Sequence, residues 1–188
     1  MPTEIHSEIF SNFLCLEDIC RFDSALCNKN KRSLYLECIG SESCIWQGDK
    51  HRNFDSNAIS WLQTRSIKVR HLKCNEITDV IAVKIGSFGS CLHWLSIRCC
   101  KDTVDERMDG IFVTMIDGCP NLQSVELSEL SDRRGTSDDT IIMLAERCQH
   151  LRRLHLTGIS KLNRFQITDR GIERLAEVHP NLDSLTLV

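Results

Sequence analysis

One stretch decides the fold: residues 138–156 have the sequence DDTIIMLAERCQHLRRLHL. Asp138 lies 13 positions before Leu151, which opens a Leu-x-x-Leu-x-Leu pattern. The same spacing recurs from Asp79 to Leu92-x-x-Leu95-x-Ile97, from Asp109 to Leu122-x-x-Val125-x-Leu127, and from Asp169 to Leu182-x-x-Leu185-x-Leu187. The opening leucines are 30, 29 and 31 residues apart. A constant period in this range predicts a solenoid of stacked units.

Each unit is predicted to contain one helix and one strand. The alternation in Leu154-His155-Leu156 has the period of a strand. The Asp that opens each unit is a predicted helix N-cap, because its carboxylate can accept hydrogen bonds from free backbone N–H groups. Apolar residues follow at helical spacing: Phe112, Met115 and Ile116; Ile141, Leu144 and Ala145; Ile172, Leu175 and Ala176. Neither element buries its apolar face alone, so neighbouring units stack and share a core.

A fainter fifth copy precedes these four units. Ser56 takes the cap position, Ile59 and Leu62 the helix face, and Val69-x-x-Leu72-x-Cys74 the strand. The sequence therefore predicts about five units over residues 55–188. Because the sequence stops within a strand pattern at Val188, we expect an open apolar edge at the C-terminal end.

Further motifs link these units to a known repeat family. The matching segments are Cys100, Ile77-Thr78-Asp79, Ile167-Thr168-Asp169, Cys119-Pro120-Asn121-Leu122 and His179-Pro180-Asn181-Leu182. In this pattern the chain resembles the cysteine-containing leucine-rich repeats, with Gly89 and His179 standing where Cys119 and Cys148 stand. The resemblance implies an α/β fold: a short leucine-rich-repeat solenoid with a helix and a parallel strand in each repeat.

Residues 1–39 do not follow the repeat and are predicted to form three short amphipathic helices. Met1-Pro2-Thr3-Glu4-Ile5, Ile9-Phe10, Leu16-Glu17-Asp18-Ile19 and Ala25-Leu26-Cys27 match successive parts of one motif. The segment thus resembles the F-box, a small all-α module that docks on the Skp-type adaptor of cullin–RING ubiquitin ligases. It lacks the family's Trp, because Asn30 or Lys31 occupies that region. The resemblance implies adaptor contacts by Pro2, Ile5, Ile9, Phe10 and Ile19.

A second interpretation of residues 1–39 needs no adaptor. End units of a solenoid require a cover, and these helices could supply it as a structural cap. Residues 40–54 are mostly polar and are predicted to be a linker. Trp46 is the exception, and we expect it to fill the junction between the two modules.

Composition limits the classes of partner that the chain is expected to bind. The net charge of −3 and the pI near 6.2 give no basic field for nucleic acid or an anionic membrane. Neither a secretory signal nor a spanning apolar run is present in the sequence. The eleven cysteines are odd in number and include core positions, which favours reduced, buried thiols in the cytoplasm or nucleus. No paired metal-ligand spacing occurs, so neither a metal nor another cofactor is expected.

The strands also predict a binding face. Side chains that flank the buried leucines point away from the core. They form three columns: His71, Trp94, Ser124, Arg153 and Ser184; Lys73, Ser96, Glu126, His155 and Thr186; Asn75, Arg98, Ser128, Thr157 and Val188. Trp and Arg are enriched among interface hot spots. We therefore predict that Trp94, Arg98 and Arg153 anchor a protein substrate and that Glu126 and His155 orient it.

Catalysis is not predicted, because the sequence has no phosphate loop, dinucleotide glycine pattern, zinc-protease helix or nucleophile elbow. Three functions remain. The first is a substrate-recognition subunit of a Skp–cullin–F-box type ubiquitin ligase. The second is a repeat scaffold or interaction module in which residues 1–39 are a cap. The third is a thiol sensor or metal binder, which requires a reactive cysteine or bound zinc.

Overall fold

A computed structural model describes residues 15–26, 29–41, 44–48, 53–75, 77–98, 108–128, 138–157 and 167–188. The helices are α1 (Leu16–Ala25), α2 (Lys29–Ile39), α3 (Ser56–Thr64), α4 (Asp79–Gly86), α5 (Met108–Asp117), α6 (Asp138–Arg147) and α7 (Asp169–Val178), with a 3-10 turn at Gly89–Cys91. The strands are β1 (Ile45–Trp46), β2 (Lys68–Val69), β3 (His71–Cys74), β4 (Trp94–Arg98), β5 (Ser124–Ser128), β6 (Arg153–Leu156) and β7 (Ser184–Leu187). The mixed α/β class predicted from the sequence is confirmed.

The strands β3 to β7 form one parallel sheet in chain order, and a helix precedes each of them. The register aligns equivalent positions of the repeat: Leu72, Leu95, Val125, Leu154 and Leu185 are consecutive partners across the sheet. The helices α3 to α7 pack side by side, each on the next. The chain thus places a row of helices along one parallel sheet, with the core between them.

The predicted helix faces are buried in the middle of the molecule. Phe112, Met115 and Ile116 of α5 are at most 3 % exposed, and the three predicted core residues of α6 are fully buried. The prediction fails in part for α7. Leu175 is buried, but Ile172 is half-buried and Ala176 is exposed. This difference arises because α7 is the last helix of the row and packs on α6 along one side.

The predicted helix caps are displaced by one residue. Thr78 caps α4 by accepting a hydrogen bond from the Ile81 N–H, and Thr168 caps α7 by accepting one from the Arg170 N–H. The aspartates that follow these threonines are the first helical residues, where a carboxylate complements the helix dipole. In α3, likewise, Asp55 rather than Ser56 is the cap and accepts from the Ala58 N–H at 2.7 Å. The sequence offers two capping residues in a row, and the earlier one takes the role.

Asp138 connects two units instead of capping its own helix. Its carboxylate accepts hydrogen bonds from the Thr168 N–H at 2.8 Å and from the Thr168 hydroxyl at 2.5 Å. Burial opposes ionisation of this carboxyl group, but the Thr168 hydrogen bonds outweigh it and lower the pKa of Asp138 below 3.8. The same oxygen lies so close to Gly171 that an added Cβ would approach within 2.5 Å. A larger residue at position 171 would therefore displace the Asp138 carboxylate from its contact with α7.

A buried position between helix and strand also connects successive units. The Cys119 thiol donates a hydrogen bond to the Ile85 carbonyl at 3.5 Å, reaching the helix of the preceding unit. His179 occupies the matching position in the last unit of the sheet, and its Nε2 lies 2.9 Å from the Ala145 carbonyl. A carbonyl can only accept, so His179 donates there as Cys119 does. The replacement of Cys by His thus keeps a donor aimed at the preceding helix.

The predicted linker contributes to the core. β1 pairs with β2 in a two-stranded parallel sheet, and Trp46 is 3 % exposed with its ring edge against Phe54 at 5.8 Å. Ile19 and Tyr35, from α1 and α2, belong to the same apolar cluster. The N-terminal helices and the linker thereby cover the β3 end of the core. In the described ranges, no helix has the length and apolar character needed to cross a membrane.

Candidate protein-interaction surface

The face of the sheet turned away from the helices carries the first two predicted columns in register. His71, Trp94, Ser124, Arg153 and Ser184 are consecutive partners, as are Lys73, Ser96, Glu126, His155 and Thr186. In the third column, Arg98 pairs with Ser128. We call these residues the sheet face. The structure therefore brings all five predicted substrate-binding residues onto one surface.

Trp94 forms the aromatic centre of the sheet face. It is half-buried, and its ring lies 6.3 Å from the ring of His71 in an edge-to-face arrangement. This contact partly covers the Trp94 ring and fixes its orientation, while the remaining ring surface stays accessible. Trp94 therefore has the mixture of rigidity and exposure that interface anchors show.

The other predicted residues surround a shallow floor. Glu126 and His155 are direct partners on β5 and β6, two strands about 4.8 Å apart, so their side chains are neighbours on one face. Ser96 and Ser124 lie in the same columns but are only 1 % and 4 % exposed. These two serines are therefore buried, although the alternation predicts that column residues point away from the core. Arg98 and Arg153 are exposed and project beyond this floor.

A row of polar residues lies immediately before the strands, and we call it the rim. It consists of Arg70, His93, Gln123, Arg152 and Asp183, together with His150 from the preceding turn. Four carbonyls of the row each accept two hydrogen bonds from the next unit, namely those of Arg70, His93, Gln123 and Arg152. The Arg70 carbonyl, for example, accepts from His93 N–H at 2.9 Å and from Trp94 N–H at 3.0 Å. The backbone ladder thus holds the rim residues in one line beside the first column of the sheet face.

The rim side chains form a positively charged group. Burial lowers the pKa of His93 below 6.5, and the nearby charges of Arg70 and His150 lower it further. The Arg70 Nε atom is buried and has no hydrogen-bond partner in the described part of the chain. Arg152 and Asp183 form an exposed ion pair at 3.9 Å. Sequence analysis did not select the rim, although its position directly before each strand was readable from the repeat.

A cleft of about 260 Å³ opens beside this rim at β6 and β7. Its polar lining includes Gln123, His150, Arg152 and Asn181. His179 closes its base and is held by the Ala145 carbonyl. The cleft therefore extends the accessible polar surface from the rim toward the turn before β7.

Of the five predicted adaptor contacts, Ile19 alone lies among the described residues. Pro2, Ile5, Ile9 and Phe10 lie outside the described residues. Ile19 is 2 % exposed and belongs to the internal core, and its carbonyl accepts a hydrogen bond from the Tyr35 hydroxyl at 2.9 Å. The side chain of Ile19 is thus used for packing within the chain. Among the described residues of this region, the large exposed apolar side chains are Phe22 and Leu34, at 52 % and 67 % exposure. Neither was predicted from the sequence to contact the adaptor.

Some of the described cysteines lie in the core of the molecule. Cys119 and Cys148 are fully buried, and burial raises the pKa of each thiol to about 12. A raised pKa disfavours the reactive thiolate. Among the described residues, no group of three or more His, Cys, Asp or Glu side chains is arranged to hold a metal ion. These two thiols therefore act as small apolar core groups.

Comparison with known proteins adds no family to this description. No protein-family model matches the chain, and a search of curated proteins finds no significant match. The repeat geometry and the sheet face are therefore the features from which a function is inferred.

Proposed function

We propose that this chain is a leucine-rich-repeat recognition protein that binds a protein substrate on its sheet face. The observation that carries the proposal is the strand register, which aligns Trp94 with Arg153 across Ser124 and sets Glu126 beside His155. A parallel sheet supports these side chains, and a half-buried Trp on the same face as two exposed arginines resembles an interface hot spot. Such a surface positions a partner and performs no chemistry of its own.

The substrate would reach a ubiquitin ligase through the N-terminal segment. The F-box resemblance of residues 1–39 favours a substrate-recognition subunit of a Skp–cullin–F-box type ligase, with Pro2, Ile5, Ile9 and Phe10 on the adaptor. Holding a substrate close to the ligase raises its effective concentration at the transfer site. The exposed Phe22 and Leu34 add apolar surface to the same helical region.

A second function is favoured by the packing of α1 and α2. Ile19 is buried in the chain, and Asp23 is 3 % exposed and paired with Arg32 at 3.0 Å and with Arg65 at 2.5 Å. Because Arg65 ends α3, this network fixes the N-terminal helices to the first repeat unit. That arrangement supports a scaffold or interaction module in which residues 1–39 are a structural cap.

One experiment separates the two functions. The full chain is tested for capture of a purified Skp-type adaptor, beside an Ile5→Asp, Ile9→Asp double variant. The matched control is Val80→Asp, Val83→Asp, which adds the same charges to the outer surface of α4, where these residues are 62 % and 58 % exposed. Circular dichroism establishes that all three proteins are folded.

We expect the wild type and the Val80/Val83 control to bind the adaptor and the Ile5/Ile9 variant to lose binding. Equal capture of all three proteins would place the contact elsewhere, and the exposed Phe22 would be tested next. Absence of capture by the folded wild type would overturn the ligase proposal and leave the scaffold.

A further inference from the structure

We infer that the sheet face and the rim together bind an acidic, extended segment of a protein partner. This inference rests on the proposed function, because it names the chemistry of the substrate at the same surface. It adds an anionic protein partner to the prediction from net charge, −3, which argued against nucleic acid and an anionic membrane.

The first argument is the distribution of charge. The described residues of the sheet face and rim include five cations, Arg70, Lys73, Arg98, Arg152 and Arg153, and two anions, Glu126 and Asp183. With histidines neutral, this surface carries a formal charge of +3, so the remainder of the chain carries −6. Four histidines, His71, His93, His150 and His155, lie on the same surface and add no negative charge. The sheet side is thus positive against an acidic background, which steers acidic partners to it.

The second argument is an unused donor. The buried Nε of Arg70 has no hydrogen-bond partner among the described residues, and its guanidinium lies near the His93 ring. An unpartnered buried donor is costly, and a partner's carboxylate would satisfy it once binding drew the half-buried Arg70 side chain toward the surface. Guanidinium and carboxylate groups also match each other as bidentate hydrogen-bonding partners. The Arg70 end of the rim is therefore suited to an Asp or Glu side chain.

The third argument is the spacing of the anchors. Trp94 and Arg153 are separated by one strand, which places them about 10 Å apart across the sheet. An extended segment that crosses the strands presents side chains on one side about every 7 Å. One extended segment can therefore place an apolar side chain over Trp94 and, a few residues later, an acidic side chain near Arg153. The buried Ser96 and Ser124 leave a low floor between them.

The structure favours a protein segment over nucleic acid. Glu126 lies in the second column between Ser96 and His155, and Asp183 pairs with Arg152 at the rim. A continuous phosphate backbone would pass close to one of these carboxylates. An acidic peptide can instead place uncharged residues there, because its charges are set residue by residue.

The test measures fluorescence anisotropy of short labelled peptides with the full chain. One probe alternates Asp and Glu around a central Leu-Phe pair. A second probe replaces every Asp and Glu by Asn and Gln, and a third is single-stranded oligodeoxythymidine. The variants are Trp94→Ala, Arg153→Glu and the control Arg170→Glu. Arg170 has a 72 % exposed side chain on α7, so its reversal changes the net charge equally on the helix side.

We expect the acidic probe to bind, Arg153→Glu to weaken binding by about tenfold or more, and Arg170→Glu to change it by less than about twofold. Affinity of the acidic probe should also fall as salt rises. Equal binding of the amide probe, lost in Trp94→Ala, would overturn the charge inference and leave peptide recognition on the sheet face. Comparable binding of oligodeoxythymidine, lost in Arg153→Glu, would overturn it in favour of a general polyanion surface.

Failure of every probe also has a defined meaning. With adaptor capture by the wild type, it would overturn the inference of an acidic segment and leave the ligase proposal standing. Without adaptor capture, it would overturn both.

Discussion

The two ends of the core are covered in different ways. At the β3 end, α1, α2 and β1 cover the first repeat unit, so Ile19, Ile39 and Trp46 are at most 3 % exposed. At the β7 end, Leu185 and Leu187 are 37 % and 40 % exposed, although they occupy the same repeat positions as buried residues of β6. The repeat pattern is complete at the exposed β7 end and fainter at the covered β3 end. Burial is therefore a property of the neighbouring element and cannot be assigned from the pattern of one unit.

The closed end depends on a polar network as well as on apolar packing. Arg32 Nε and Arg65 Nε donate to opposite oxygens of Asp23 at 3.0 and 2.7 Å, and the Arg65 guanidinium lies 4.4 Å from the Trp61 ring centre. The Tyr35 hydroxyl reaches the α1 backbone nearby. A covering element made of non-repeat sequence thus needs its own specific contacts to hold it in place.

Loss of the Asp23 carboxylate is expected to have the largest effect. Asp23→Ala leaves Arg65 without its buried counter-ion, so we expect a loss of about 3 kcal/mol in the free energy of unfolding. Urea denaturation measures it. The control is Asp183→Ala at the open end, whose ion pair is exposed on both sides and should contribute less than about 1 kcal/mol. Equal effects of the two changes would show that the N-terminal helices are not held by this network.

The next comparison uses one repeat position in two units. Leu154→Ala removes a fully buried side chain from β6 and should cost about 3 kcal/mol. Leu185→Ala removes its register partner on β7, which is 37 % exposed, and should cost about 1 kcal/mol. Thermal and urea denaturation of both variants provide the measurement. A larger loss for Leu185→Ala would mean that the β7 edge is covered in solution.

A smaller effect is expected at the buried donor position between units. His179→Ala removes the hydrogen bond to the Ala145 carbonyl and should cost about 1 to 2 kcal/mol. His179→Cys should lose less, because Cys119 donates to a preceding helix from the matching position. The ranking of the three proteins in urea denaturation checks the role of the donor. If the Ala and Cys variants were equally destabilised, packing rather than hydrogen bonding would account for the histidine.

The central part of the fold could be predicted because two local periods agree. In each unit the helical spacing of apolar residues, as in residues 138–147, precedes the strand alternation, as in residues 153–156, by the same number of residues. Residues at equivalent positions of successive units are therefore the ones that pair across the sheet. The β1–β2 pair could not be found in this way. Strands of two residues contain no measurable alternation, and Trp46 reaches the core through its contact with Phe54.

For a similar reason, some residues of the candidate site were predicted from the sequence and others were not. Columns follow from alternation, so Trp94 and Arg153 were placed on one face from the sequence. The burial of Ser96 depends on its neighbours, and the rim depends on how the chain turns into each strand. The side-chain interactions among Arg70, His93 and His150 join residues from three units and have no signal in any one of them.

The last prediction concerns chemical modification of the cysteines, which is expected to perturb the folded chain least. Iodoacetamide at pH 8 should label the exposed Cys15 quickly, whereas Cys119 and Cys148 should react only when the chain unfolds. Burial raises the pKa of the latter two to about 12, so each keeps its proton in the folded state. Each retained proton stabilises the folded state. This stabilisation is present below pH 9.0, the ordinary pKa of a thiol, and is lost as the pH rises toward 12.

Mass spectrometry of labelled peptides, with and without urea, gives the rates for each site. Cys15 serves as the internal standard for thiols that are open in the folded chain. If Cys148 were labelled as fast as Cys15 in the absence of urea, its position in the core would be wrong, and the thiol-sensor function would regain support. Protection of Cys148 that disappears only with global unfolding would instead show that the middle of the core opens as one unit. Labelling of Cys148 at a lower urea concentration than Cys119 would instead locate the weaker stability toward the β7 end.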